Sequence, residues 1–215
     1  MVLGVSVKFA PKYLLDSLTA MVYDFSKTCT RNVQRILKSM ARIVADSSAL
    51  ILLAKCSLLE SVCDLFDVIV PKAVIIEVAS KNLVKNYPDA ALISDLTSKG
   101  SIKIQNPGNA RPPLPLSLHK GEEEALLLAI KLDESMLATD DGKAIKAARF
   151  FNVPFIITPK IVVELFRLQK ISFRKARKSI EKLGKIGRYS PEIIAEALIS
   201  LMEKKDGKAD NHKDI

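Results

Sequence analysis

Residues 42–55 read RIVADSSALILLAK. The run Ile43-Val44-Ala45 is apolar and short, the length of a buried strand and not of a helix. It ends on Asp46. Ser47 and Ser48 follow, and then a second apolar run whose spacing predicts a helix through Ala49–Lys55 with Ser48 able to cap it. A carboxylate left without partners in an apolar interior is costly. An acid wedged between two core-forming segments is therefore more often functional than incidental. A capping role is open to Asp46 too, but either serine can take it.

The same alternation continues outward. Val68-Ile69-Val70 is a strand stopped by Pro71, and Pro71 suits the first turn of a helix holding Val74, Ile75 and Val78. Leu58–Phe66 and Pro88–Ser98 read as helices, Ile102–Ile104 as a strand, and NPGNARPPLPLS as a loop. Gly121 precedes a helix over Glu122–Leu132, Met136–Ala138 is a strand, and Asp141 or Gly142 opens a helix through Arg149. Val153–Ile157 is the last strand, Thr158-Pro159 starts a helix to about Gln169, and helices over Ser172–Leu183 and Pro191–Lys204 follow. Short apolar strands alternating with helices predict an α/β fold: three layers, α/β/α, around a central parallel sheet. In such sheets sites form at the carboxyl ends of the strands.

Residues 1–41 stand apart. They are basic and carry apolar residues at helical spacing, among them Leu14, Leu18, Met21, Val22, Val33, Ile36 and Leu37. Two readings stay open: a helical N-terminal extension, or residues upstream of a true start at Met40. The domain proper is expected over 42–204, and 205–215 is a polar tail expected to be disordered.

Composition narrows the chemistry. The chain has 215 residues, 48% of them hydrophobic, enough for one domain with a sizeable core. No apolar run reaches the ~18 residues that cross a bilayer, and the N-terminus lacks the order of a signal peptide, so a cytoplasmic protein with no membrane partner is expected. The three cysteines, Cys29, Cys56 and Cys63, fit neither a CxxC motif nor a disulfide framework. With only His119 and His212 in the chain, a His-rich zinc site and a Ser/His/Asp triad are disfavoured, and any metal must be held mainly by oxygen. The net charge is +9. It is unevenly spread: residues 142–188 carry 13 Lys and Arg against Glu164 and Glu181, a balance of +11, whereas 46–141 carry 14 acids against 9 bases, a balance of −5. An acidic segment beside a strongly basic one suggests a polyanion partner near a cation-holding site.

The acids fall in a pattern on this map. Asp46 ends the first strand, and Asp140-Asp141 follow the strand Met136–Ala138. Glu77 lies in the helix after the second strand, and Glu122-Glu123-Glu124 open a helix after the Pro-rich loop. Taken singly, most have bland readings: Glu122–Glu124 suit a helix dipole, Asp140 or Asp141 can be a cap, and Glu77 can face solvent. Gathered at one sheet edge they would repel unless a divalent cation neutralised them. Hard oxygen ligands without His or Cys point to Mg²⁺ or Mn²⁺, whose chemistry suits phosphodiester hydrolysis.

The ordered set of Asp46-Ser-Ser-Ala-Leu-Ile, Glu77, Gly121-Glu-Glu-Glu-Ala and Leu137-Ala-Thr-Asp-Asp-Gly-Lys-Ala resembles the PIN domain superfamily. More narrowly, the chain is similar to a prokaryotic PIN-like family of predicted nucleases. The likeness runs from about Arg42 to about Leu201 and takes in VVELFRLQKI and KLGKIGRYSPEI. It implies a three-layer α/β/α fold and a Mg²⁺- or Mn²⁺-dependent ribonuclease acting on single-stranded RNA. By position, the family's acids fall on Asp46, Glu77, Glu122 and Asp140, with Asp141 adjacent. Asp46, Glu122 and Asp140 would bind the ion, and Glu77 and Asp141 would complete the site. Ser48, Glu123 and Glu124 would support it, and the register among Glu122, Glu123 and Glu124 stays open. Lys143, Lys146 and Arg149 are the expected nucleic-acid contacts. A homodimer is expected, and for the toxins of the superfamily a small antitoxin partner.

Two other readings compete. One is a PIN-like module that binds RNA or protein without turnover. The other is a phosphatase with Asp46 as nucleophile, disfavoured because haloacid-dehalogenase-type phosphatases use a second aspartate two residues on, where Ser48 stands.

Overall fold

Each strand is a short, mainly apolar segment, and the one buried polar side chain among them, Ser135, donates its hydroxyl to the Leu132 carbonyl at 2.9 Å. A computed structural model describes residues 42–108 and 117–209 and arranges these segments in one sheet. The strands are β1 (Arg42–Ala45), β2 (Asp67–Val70), β3 (Ile102–Ile104), β4 (Ser135–Ala138) and β5 (Phe155–Ile156), all parallel, in the order β3-β2-β1-β4-β5. The helices among the described residues are α1 (Ser47–Lys55), α2 (Leu59–Cys63), α3 (Lys72–Val78), α4 (Lys81–Asn86), α5 (Pro88–Ser98), α6 (Lys120–Lys131), α7 (Gly142–Phe150), α8 (Thr158–Arg167), α9 (Phe173–Ile186) and α10 (Pro191–Ala209).

Successive side chains of a strand point to opposite faces, so the sheet builds two cores. Ile43, Ala45, Val68, Val70 and Ile102 face one side, where Leu50 and Leu53 of α1, Ile93 of α5, Ile161 and Leu165 of α8 and Ile180 of α9 cover them. Val44, Ile69 and Leu137 face the other, under Leu126 and Leu128 of α6 and Ala147 and Ala148 of α7. This is the predicted three-layer α/β/α arrangement. Among the described residues no helix is long and apolar enough to cross a membrane.

The sheet positions the site through its strand order. From β1 the chain moves outward to β2 and β3, then returns to place β4 on the other side of β1. Crevices in open parallel sheets lie at such a reversal, outside the carboxyl ends of the strands. The register pairs Ala45 with Ala138, so Asp46 and Thr139 leave the sheet side by side.

Several local expectations change. The N-cap of α1 is Asp46 itself, whose side chain accepts from the Ala49 N–H at 2.9 Å, so Ser48 is not the cap. Pro71 is the N-cap of α3. The sequence reading passed over α4, a short helix that buries none of its residues. β5 is shorter than predicted. Its predecessor Pro154 has no N–H to give the ladder, and Ile157 caps α8. The helix α10 runs through Ala209, past the predicted end at Lys204. The expected extension over 1–41, and residues 210–215 of the expected tail, lie outside the described residues.

Candidate active site

The site begins with two strand ends. Asp46 follows β1 and is fully buried. The ladder extends one step beyond the strand, since the Asp46 N–H donates to the Ala138 carbonyl at 3.0 Å. The carboxylate then meets three donors. Oδ1 accepts from the Ser48 hydroxyl at 2.7 Å and from the Ala49 N–H at 2.9 Å, and Oδ2 accepts from the Thr139 hydroxyl at 2.5 Å. Burial pushes the Asp46 pKa up to about 7. The bonds from Ala49, Thr139 and Ser48 pull it down, and the nearby Asp140 charge pushes it further up.

Both hydroxyls that hold Asp46 also hold the loop after β4. Ser48 Oγ accepts from the Asp140 N–H at 2.9 Å, and Thr139 Oγ1 accepts from the Asp141 N–H at 3.2 Å. The two acids after β4 then diverge. Asp140 turns toward α8 and the α9–α10 junction: Oδ1 accepts from the Thr158 N–H at 2.8 Å and the Tyr189 hydroxyl at 2.6 Å, and Oδ2 from the Thr158 hydroxyl at 2.5 Å. Burial raises its pKa against these donors. Burial, and then the charge and hydrogen bond of Asp140, raise that of Tyr189. Asp141 caps α7, its Oδ1 accepting from the N–H groups of Lys143 at 2.7 Å and Ala144 at 2.9 Å.

The glutamates arrive from the other side of β1. Glu77 lies near the end of α3, where one of its oxygens accepts from the Ser47 hydroxyl at 2.6 Å. Gly121, in the first turn of α6, lets the two helices meet: a Cβ there would lie 2.6 Å from Glu77 Oε2 and 3.1 Å from Ser47 Oγ. Next in the chain, Glu122 closes its own helix end by accepting from the His119 N–H at 3.0 Å. Its pKa is raised, first by burial, with the charges of Asp141 and Glu77 adding to the rise and His119 opposing it. Glu122 thus lies in the field of acids from both neighbouring elements. Glu123 and Glu124 are half-buried on the same helix.

A model of the PIN domain family matches residues 42–204. The chain belongs to the PIN domain family. Searches of curated proteins and of solved structures return no match.

As a PIN domain, the chain carries a nuclease-type fold. Its acids form two linked groups: Asp46 with Asp140 through Ser48, and Glu122 within the field of Glu77 and Asp141. Among the described residues no three His, Cys, Asp or Glu side chains gather closely enough to hold one ion. The donor set nevertheless suits a hard divalent cation. It is all oxygen, the charge of Asp140 adds to the rise at Asp46 and those of Asp141 and Glu77 to the rise at Glu122, and Glu77, Glu122 and Asp141 each keep one oxygen outside the hydrogen bonds above. Lys143, Lys146 and Arg149 are exposed on α7, with the Arg149 guanidinium 5.5 Å from the Phe155 ring centroid.

Sequence reading missed Thr139, Thr158 and Tyr189 as partners of the acids. Thr139 was within reach of inference. It is the first residue after β4, as Asp46 is after β1, and parallel pairing sets such residues beside each other. Tyr189 gave no such signal, because its bond to Asp140 spans 49 residues.

Proposed function

We propose that this PIN domain is a metal-dependent endoribonuclease that hydrolyses RNA phosphodiester bonds. What supports the proposal is a pair of acid groups outside the strand ends where the sheet order reverses, Asp46 linked to Asp140 through Ser48 and Glu122 in the field of Glu77 and Asp141, with burial first and neighbouring acids second raising the pKa values of Asp46 and Glu122. In this reading Asp46, Glu122 and Asp140 hold a Mg²⁺ or Mn²⁺ ion, and Glu77 and Asp141 complete the set. When bound, the ion supplies an activated water and neutralises charge developing at phosphorus. The protein's part is positional. Ser48 and Thr139 fix Asp46 against the loop after β4, and Thr158 and Tyr189 fix Asp140. Lys143, Lys146 and Arg149 follow Asp141 along α7 and meet the substrate's phosphates.

Purified protein with Mn²⁺ is expected to cut single-stranded RNA, and Asp46→Asn to reduce cutting by at least about a hundredfold. Equal cleavage by the variant sinks the assignment.

One observation favours a second reading, a non-catalytic RNA-binding module. Asp46 and Asp140 each already accept three hydrogen bonds from the protein. In that case RNA binding needs no metal, and Asp46→Asn leaves it intact.

A further inference from the structure

At the far end of α1 from Asp46 lies a pocket of about 320 Å³. Arg174, Lys175, Lys178 and Lys182 of α9 line it, together with Ser172, Ser179 and Cys56. The four basic residues are exposed. Among the described residues no carboxylate pairs with Arg174, Lys175 or Lys178; the only acid on the helix, Glu181, is taken by Arg177 at 2.8 Å. Lys182 is held in place by its Nζ, which donates to the Lys55 carbonyl at 2.5 Å. Four cations crowded without counter-charge repel one another, and an anion in the pocket would relieve that repulsion.

Two more features fit an anion. The pocket runs along α9 from its first turn, where the helix dipole is positive and Ser172 caps the Lys175 N–H at 3.3 Å, to Lys182. It also offers the hydroxyls of Ser172 and Ser179 as neutral donors. The basic face does not stop there. Arg174, Lys178 and Lys182 are spaced at i, i+4 and i+8, so they share one face of α9. Lys185 and Arg188 carry the charge on to Tyr189, whose hydroxyl bonds Asp140.

We propose that this pocket is a distal phosphate-binding site that anchors the RNA backbone away from the acids, with the α9 stripe as the track between them. The proposal rests on the reading of RNA as the substrate. The nine residues of α1 separate pocket and acids by about 14 Å at 1.5 Å per residue. A bound strand must therefore extend several nucleotides past the scissile bond to reach it.

The test is binding of a twelve-nucleotide single-stranded RNA, without divalent metal, at several salt concentrations. Each phosphate contact contributes about 0.7 to the magnitude of the slope of log affinity against log salt. The Arg174→Ala/Lys178→Ala variant should lower that magnitude by about 1.4. A control variant, Lys81→Ala/Lys85→Ala on exposed α4, removes the same charge elsewhere and should leave the slope unchanged. An unchanged slope in the α9 variant, an equal loss in the control, or no binding by the unaltered chain overturns the proposal. Absence of metal-dependent cutting with the slope difference intact sinks only the nuclease reading. Cutting with no slope difference sinks only the pocket.

Discussion

Asp46 shows how one residue carries both a structural and a chemical load. It caps α1, and it is buried among hydroxyls that come from Ser48, two residues on, and from Thr139, 93 residues away. Burial raises its pKa from an ordinary 3.8 to about 7, so the folded chain holds a proton there that the unfolded chain gives up. The contribution of this group to stability is fully present below about pH 4 and is lost as pH rises through 7, because over that range the native state binds more protons than the unfolded state. Burial acts on Asp140 in the same direction. The metal-free protein should therefore lose stability between pH 4 and 7. Urea midpoints across that range should be flatter with pH for Asp46→Asn. Parallel profiles for the two proteins would show that Asp46 is ordinary in the folded state. The acid itself was legible in the sequence as a charge between two apolar runs. Its environment was not, since Thr139 reaches it only through the pairing of β1 with β4.

At the scale of elements, the junction of α3 with α6 decides where two of the glutamates go. Gly121 has no unusual backbone conformation, so what it provides is space. A Cβ would press on Glu77 Oε2 at 2.6 Å and crowd Ser47 and Val74. For Gly121→Ala, the helix propensity gained offsets much of the crowding, and the net stability change should stay within about 1 kcal/mol. Activity should fall further, about tenfold or more, because the far end of Glu77 must move. RNA cleavage and urea unfolding on the same variant separate the two effects. In a Glu77→Ala background, Gly121→Ala should cost no further activity; a further loss there would mean that the glycine acts on something other than Glu77. The sequence showed a glycine before a run of glutamates and so the start of a helix, but spacing along one chain does not reveal which side chain another helix presses against it.

Across the whole molecule, the C-terminal helices are tied through Asp140 to the carboxyl end of β4. Tyr189, between α9 and α10, donates to Asp140 at 2.6 Å, and Thr158 at the start of α8 gives the same carboxylate two more bonds. Tyr189→Phe keeps the ring and removes the donor. Hydrogen bonds to charged groups are worth about 1.5–3 kcal/mol, so the variant should be destabilised by about 2 kcal/mol in urea unfolding. A change near zero would mean that solvent replaces the hydroxyl and that the link holds nothing.

The sequence alone determined the acids and the elements that build the core; α4, which buries none of its residues, left no such pattern. Short apolar strands and amphipathic helices are set by local periodicity, and a carboxylate at a strand end is visible because it interrupts an apolar pattern. The prediction of a parallel α/β sheet in three layers followed from that periodicity. Tertiary structure decided the rest: β4 beside β1, the hydroxyls of Ser48 and Thr139 around Asp46, the turn of Asp140 toward Tyr189, and the basic pocket behind α1. Each of these depends on which strands pair and which helix faces meet, and packing across the whole core settles that, not the preferences of neighbouring residues.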